Sequence, residues 1–367
     1  MKRVIAFVWE NFGPLHVDRC EAVMRRGFEV VGIEFAQRSN TYSWSSPPTK
    51  FRKITLFGNL ADDGIGEARL ASALASACYR SRARHIFFCH YIKPSVAISA
   101  VGMRSLGRRV YTMNDSKFDD LPRHFWREFI KMQLLKPYHG CLAAGTRSRD
   151  YVRFLGMRSE RIALGYDTIS VRNMLDEAGP EPASRETPFV ERHFTIVARL
   201  VEKKNHKLAL QAYSRYVSQE MEPRKLIICG SGPLERELRE YAAALSLENF
   251  VSFTGFLDGL EIQRTLRSTL ALILPSNEEQ FGLVVPEAIA MGVPVLVSEV
   301  CGARDELVRT GVNGFVFEPD NIDGLALFMS MLSRDENLWE KMSEANRRFL
   351  PLCDVEAFAD GVERLIS

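Results

Sequence analysis

The chain has 367 residues, 46% of them hydrophobic and 26% charged, a length that suits two domains or one large one. The composition excludes collagen-like and low-complexity classes, and no apolar run reaches the roughly 18–20 residues that span a bilayer. Seven scattered cysteines with no Cys-x-x-Cys pair point to reduced thiols and a cytoplasmic protein.

The run from Met1 to Trp9 is basic and then apolar, like a short signal peptide. It passes straight into Glu10 and Asn11 with no small-residue cleavage site, so it reads as a buried first strand over Arg3–Trp9. Helical spacing follows over Val17–Arg26 and stops at Gly27. Short apolar runs at Glu29–Ile33, His85–Cys89, Arg109–Met113 and Arg161–Leu164 predict further strands, with a crossover helix over Ser95–Ser105. Strand and helix in alternation imply a parallel, doubly wound sheet.

Between Asp176 and Pro188 the chain turns polar and Pro-rich, the composition of a linker. The pattern then restarts, with strands predicted at Phe194–Ala198, Lys225–Cys229, Phe250–Phe253, Leu270–Leu274, Val293–Val297 and Phe315–Phe317. Helices are predicted over Ile322–Leu332, Glu336–Leu350 and Val355–Ile366. The reading is an N-terminal acceptor-binding domain (1–175), a linker (176–190) and a C-terminal donor-binding domain (191–350). The terminal helix (351–367) has the option of packing back on the first domain. Both domains are Rossmann-like, with parallel sheets facing across a cleft, and ligands bind beyond the carboxyl ends of such strands.

Charge divides along the same line. Residues 1–185 hold 29 Lys and Arg against 18 Asp and Glu, net +11, and the remainder holds 19 against 28, net −9. Two units with different partners would show this division, and so would two ordinary solvated surfaces.

The stretch from Pro275 to Val295 carries the most chemistry. A helix is expected to start near Gly282 and to end at Gly292, where a glycine commonly follows a helix. The N–H groups of Phe281, Gly282, Leu283 and Val284 would form a positive pole suited to phosphate, and Gly282 would let a ligand approach the backbone. Glu279 precedes this helix and Glu287 lies within it, eight residues on. That spacing suits two separated hydroxyl-bearing groups on either side of an anion, the layout of a nucleotide sugar. An acidic first turn with an ordinary surface Glu is the plainer alternative.

Arg199 falls at the carboxyl end of the strand Phe194–Ala198, and Lys204 follows in the same loop. Two cations there can clamp a diphosphate, or belong to a solvated basic turn. Gly230-Ser-Gly232 before Pro233 is a strand-to-helix glycine turn, and Phe253-Thr-Gly255-Phe256 is another strand-end turn. Close backbone packing is the default reading of both.

Taken in order along one domain, these elements resemble glycosyltransferase family 4, retaining enzymes of the GT-B fold. The resemblance covers about residues 194–335 and includes the family's Glu-x7-Glu motif as Glu279 and Glu287. It also includes Phe281-Gly282, Gly292-x-Pro294-Val295 and an Arg-Leu followed by Lys as Arg199-Leu200 and Lys204. It implies that Glu279 contacts donor sugar hydroxyls, Glu287 the ribose hydroxyls, and Arg199 and Lys204 the diphosphate. Main-chain groups around Phe253–Phe256 would meet the nucleobase.

The first half matches this family less well. Where relatives have a glycine-rich loop after the first strand, only Gly13 stands in Asn11-Phe-Gly-Pro-Leu-His16. Gly13 is then the residue to approach the diphosphate, and His16 either lines the acceptor pocket or serves the helix start. Many relatives have a His after the strand at Arg109–Met113, and here Asn114 and Asp115 stand there. Asp115 would accept a proton or cap a turn, and His90 ends its own strand as a further cleft candidate. There is no Asp-x-Asp triplet and no metal-ligand spacing, so no metal and no cofactor beyond the donor are expected.

Arg123, Arg127 and Lys131 recur every fourth residue among Phe125, Trp126, Phe129, Ile130 and Leu134. They define a basic amphipathic helix that would meet an anionic membrane or a phosphate-bearing acceptor, or else lie with its apolar face in the core. No nucleic-acid module is present. The expectation is a retaining, metal-independent transfer of a sugar, from a UDP-linked donor, to a saccharide or lipid-linked hydroxyl. It belongs to surface polysaccharide or glycoconjugate biosynthesis, in a cytoplasmic or peripheral membrane protein. A non-catalytic nucleotide-sugar-binding scaffold is the alternative, and an epimerase or phosphorylase of the same architecture is a third.

Overall fold

Val4–Trp9 forms a strand because it is apolar at nearly every position, as a strand covered on both faces must be. Ile5, Ala6, Phe7 and Val8 are fully buried. The computed structural model describes residues 3–38, 48–61, 64–178 and 187–367. It divides into two compact units, one of residues 1–170 with 354–367 and the other of residues 171–353.

The first unit holds β1 (Val4–Trp9), β2 (Glu29–Arg38), β3 (Arg52–Ala61), β4 (His85–Phe88), β5 (Arg109–Asn114), β6 (Gly140–Ala143) and β7 (Ile162–Leu164). The seven strands lie in the order β3-β2-β1-β4-β5-β6-β7, and every pairing is parallel. Two of these strands were not anticipated. β3 is an edge strand that opens on Arg52 and Lys53, and β6 has only four residues and begins on glycine.

The last helix, Val355–Ile366, belongs to this first unit. Its Phe358 is fully buried with its ring 5.5 Å from Phe7. Glu356 accepts from Arg25 at 2.8 Å and Arg26 at 2.9 Å, and Asp360 pairs with Arg26 at 2.7 Å. An acidic helix end thus covers part of the basic half.

The second unit holds β8 (His193–Val197), β9 (Leu226–Cys229), β10 (Val251–Gly255), β11 (Thr269–Leu274), β12 (Val295–Ser298) and β13 (Gly314–Phe317). They form a parallel six-stranded sheet in the order β10-β9-β8-β11-β12-β13. The predicted helix Glu336–Leu350 is broken in two, with α-helix over Glu336–Ala345 and a short 3-10 turn at Asn346–Arg348. Of the Pro-rich stretch, Asp176–Ala178 close the helix Val171–Ala178, and residues 179–186 lie outside the described residues.

Both sheets reverse their winding once, between β1 and β4 in the first unit and between β8 and β11 in the second. Loops leaving the carboxyl ends of such a strand pair part in opposite directions and open a crevice, where ligands of open α/β sheets bind. All seven cysteines are buried, and none of them forms a disulfide. No helix among the described residues is long and apolar enough to cross a membrane.

Candidate functional site

In the second unit the chain leaves β8 into Arg199 and a 3-10 turn, Glu202–Lys204. Asn205 ends the turn in the left-handed region (φ 52°), a conformation that Asn tolerates better than most residues. Its amide donates to Asn277 Oδ1 at 3.1 Å and to the Pro319 carbonyl at 2.8 Å. The Lys203 carbonyl accepts from the N–H groups of Asn277 (2.8 Å) and Glu278 (3.3 Å). The loops after β8 and β11 are therefore laced together across the switch point.

That lacing sets Lys204 against Glu279. The ammonium donates to Glu279 Oε2, and Ser276 Oγ donates to the same oxygen at 2.9 Å. Both side chains of the pair are mostly buried, at 15% and 12% exposure, so the contact is screened less than a surface ion pair. Spacing along the chain gives no sign of this pair, because the partners lie 75 residues apart and meet only through the strand order. Asn205, Ser276 and Asn277, which lace the same two loops, go unsignalled in the sequence for the same reason.

Arg199 is exposed, and its guanidinium has no ion-pair or hydrogen-bond partner among the described residues. Its loop is fixed from behind by the glycine turn after β9. A Cβ on Gly230 would lie 2.0 Å from the Ala198 carbonyl oxygen, and one on Gly232 would lie 2.4 Å from that of Leu200. Leu200 N–H donates to the Ser231 carbonyl at 3.0 Å. The glycines thus serve close packing, and what they position is Arg199.

The helix at Gly282 starts two residues later than expected, covering Val284–Ala290. The N–H groups of Phe281, Gly282, Leu283 and Val284 have no acceptor among the described residues. The loop before the helix is pinned to the turn after β12: Gly302 N–H donates to the Glu279 carbonyl at 3.1 Å, and Ala303 N–H to that of Phe281 at 2.9 Å. The helix closes as expected at Gly292 (φ 72°), where Val293 N–H returns to the Ala288 carbonyl at 2.9 Å, a Schellman ending. Glu287 is half-buried, and burial pushes its carboxyl up to about 7. No described residue pairs with it. Gly255 takes φ 75° with open space around it. Beside it Phe253 is half-buried under Arg239, 4.8 Å from the ring centroid, and Phe256 is exposed.

The first unit has its own crevice at its switch point. A cavity of about 280 Å³ is lined by Glu10 after β1, Cys89 and His90 after β4, Asn114 at the end of β5 with Asp115 just beyond it, and Tyr166. Burial, with Asp167 adding its charge, pushes the Asp115 carboxyl up to about 6. His90 sits in the left-handed region (φ 53°), with Nε2 3.7 Å from Glu10. The Asn114 amide nitrogen donates to the Ser116 carbonyl and to Ser148 Oγ, both at 2.9 Å, so it braces the loop. Gly13 N–H donates to His16 Nδ1 at 3.0 Å, which caps the helix Pro14–Arg25. Burial, then Arg19 and His90, hold the His16 ring well below the ordinary imidazole range. Gly13 and His16 are thus engaged with each other at the helix start.

Residues 183–349 match the family model of glycosyl transferases group 1. An uncharacterized glycosyltransferase of Methanocaldococcus jannaschii is 33% identical over 136 residues, 37% of this chain and 34% of that protein. The poly(glycerol-phosphate) alpha-glucosyltransferase of Bacillus subtilis is 31% identical over 164 residues, 45% of this chain and 24% of that protein. The matched part thus spans only 34% and 24% of the length of these two relatives. Anabaena HepE, solved in complex with UDP-glucose, superposes with a TM-score of 0.73 at 18% identity, covering 99% of both chains. The fold is GT-B, two Rossmann-like halves with parallel sheets.

Proposed function

We propose that the protein is a retaining glycosyltransferase of family 4. It moves a sugar from a nucleoside diphosphate sugar, in the first instance a UDP-sugar, to a hydroxyl of a saccharide or lipid-linked acceptor. The reading places it at the cytoplasmic face, in polysaccharide or glycoconjugate assembly. The observation that carries it is the joining of the β8 and β11 loops through Lys204 and Glu279 at the switch point, with Arg199 unpaired in the first loop. The family match over 183–349 and the likeness to a fold solved with UDP-glucose support the donor class.

In this reading the diphosphate takes the Arg199 guanidinium, a fork suited to phosphate oxygens, and the N–H groups of residues 281–284. Lys204 shifts from Glu279 toward the phosphate, and Glu279 then accepts from donor sugar hydroxyls. Glu287 holds the ribose hydroxyls, and the backbone of Phe253–Phe256 holds the base. The bond from the anomeric carbon to the phosphate oxygen breaks as the acceptor oxygen bonds to the same face of that carbon. The acceptor proton passes to the departing phosphate. Charge on that phosphate is met by this chain's own cations and N–H dipoles. On the acceptor side, Asp115 and His90 bind the hydroxyl-bearing partner.

Lys204→Ala and Glu279→Ala should each lower donor turnover by about 100-fold or more, and turnover equal to the parent's would overturn the reading. The engagement of the Asn114 amide in its own loop favours one second reading, a scaffold that binds the donor without turnover. Calorimetry with UDP-glucose and product analysis separates the two, since binding with neither transfer nor hydrolysis assigns the scaffold.

A further inference from the structure

The helix Phe125–Leu135 is inverted relative to an ordinary surface helix. Its buried residues are Glu128 and Leu135. Tyr151 OH donates to Glu128 Oε2 at 2.6 Å, Lys131 donates to Oε1 at 2.9 Å, and Arg123 stands 3.5 Å away. Two of the three cations expected to form a basic outer face therefore point inward, and only Arg127 stays exposed. The aromatic residues take the outside. Phe125 is 74% exposed, Trp126 72%, Ile130 55% and Phe129 44%.

These rings form one surface. Phe125 and Trp126 are 5.2 Å apart and Trp126 and Phe129 6.3 Å apart, centroid to centroid. Their open area is roughly 500 Å², from about 200 Å² per large side chain, the size of the largest apolar patch on a soluble monomer, which is often functional. No acid is exposed on the helix, since Glu128 is its only one and is buried. Exposed Lys136 caps the C-terminal end, and exposed Arg104 donates to its carbonyl at 3.3 Å. The unit as a whole carries 28 Lys and Arg against 19 Asp and Glu, net +9.

We propose that this face seats the protein on an anionic bilayer. Phe125, Trp126, Phe129 and Ile130 enter the interfacial layer, where Trp and Phe partition favourably. Arg127 and Lys136 lie among the acidic headgroups, whose negative surface potential attracts basic side chains. A protein partner or a second copy of the chain would also cover the rings, but a helix whose exposed charges are all basic, on a unit of net +9, matches a uniformly anionic plane. The Glu128 cluster below keeps the helix in place while its apolar side faces outward.

The test is flotation of the full chain with two vesicle types, pure phosphatidylcholine and phosphatidylcholine carrying about 30% phosphatidylglycerol. The expected result is capture by the anionic vesicles only, weakened by salt. Phe125→Ser/Trp126→Ser/Phe129→Ser should lower capture at least tenfold, and Arg127→Glu, a mild surface change, severalfold. Both variants should keep the parent's thermal transitions and UDP affinity. Three results overturn the proposal. They are a parent that fails to float, a triple variant that floats like the parent, and a dimeric parent that the triple substitution dissociates while vesicles capture neither.

Discussion

Gly230→Ala tests whether the glycine turn after β9 positions Arg199. The new Cβ would meet the Ala198 carbonyl oxygen at 2.0 Å. An ordinary carbon–oxygen contact is about 3.3 Å, so the two loops must part by about 1.3 Å. The backbone at φ 143° adds about 1–2 kcal/mol for any residue with a Cβ, and forced separation of packed backbone adds about 1–3 kcal/mol. The total of about 2–5 kcal/mol should lower the melting temperature of the second unit by about 5–15 °C. Because Arg199 follows Ala198 directly, its displacement by about 1 Å should lower donor turnover by about 100-fold. Gly311→Ala is the control, another positive-φ glycine (φ 78°) but with nothing within 4 Å of the added Cβ. It should cost about 1–2 kcal/mol and leave turnover unchanged. Scanning calorimetry and a donor-turnover assay read both variants. If Gly230→Ala melts and turns over like Gly311→Ala, the turn does not position Arg199.

Three further outcomes follow from the same geometry. Glu287 has a folded-state value of about 7 against 4.5 for the free carboxyl, so the folded chain holds its proton longer than the unfolded one. Its contribution is therefore complete below about pH 4.5 and is lost as the pH rises through 7, up to about 3 kcal/mol in all; Glu287→Gln should flatten that slope in melting-temperature measurements between pH 5 and pH 8. Asp115 is raised to about 6, so if its carboxylate serves the acceptor, transfer should rise through pH 6 and Asp115→Asn should remove that limb from the kcat/KM profile. Phe358→Ala empties a fully buried ring site against Phe7 and should cost about 3–5 kcal/mol, lowering the first unit's transition by about 10 °C or more without altering UDP affinity.

The sequence announces what local pattern controls. Strand-helix alternation, the glycine ending at Gly292 and the motif order of Arg199, Lys204, Glu279 and Glu287 all show in short windows. Where sheet order or facing decides, the pattern falls silent. Lys204 and Glu279 meet because β8 and β11 are neighbours, which no spacing encodes. Gly13 and His16 stand three residues apart, and the sequence leaves His16 open between the acceptor pocket and the helix start, where the structure has it accepting from Gly13 N–H. The helix at Phe125 misleads for a related reason, since periodicity identifies two faces but not which one is buried. The Glu128 cluster with Tyr151 and Lys131 draws the polar face inward. The net charge of the second half also says little about its proposed ligand, because one free guanidinium, one paired ammonium and a few N–H groups can outweigh a diffuse acidic surface at a single point.

The account rests on a nucleoside diphosphate meeting Arg199 at the second unit's switch point, and titration of UDP into the parent protein and into Arg199→Ala tests this directly. The account predicts saturable heat for the parent and at least tenfold weaker binding for the variant, the loss of a charge-assisted contact worth about 1.5–3 kcal/mol. No heat with the parent, or equal affinity in the two proteins, would contradict it.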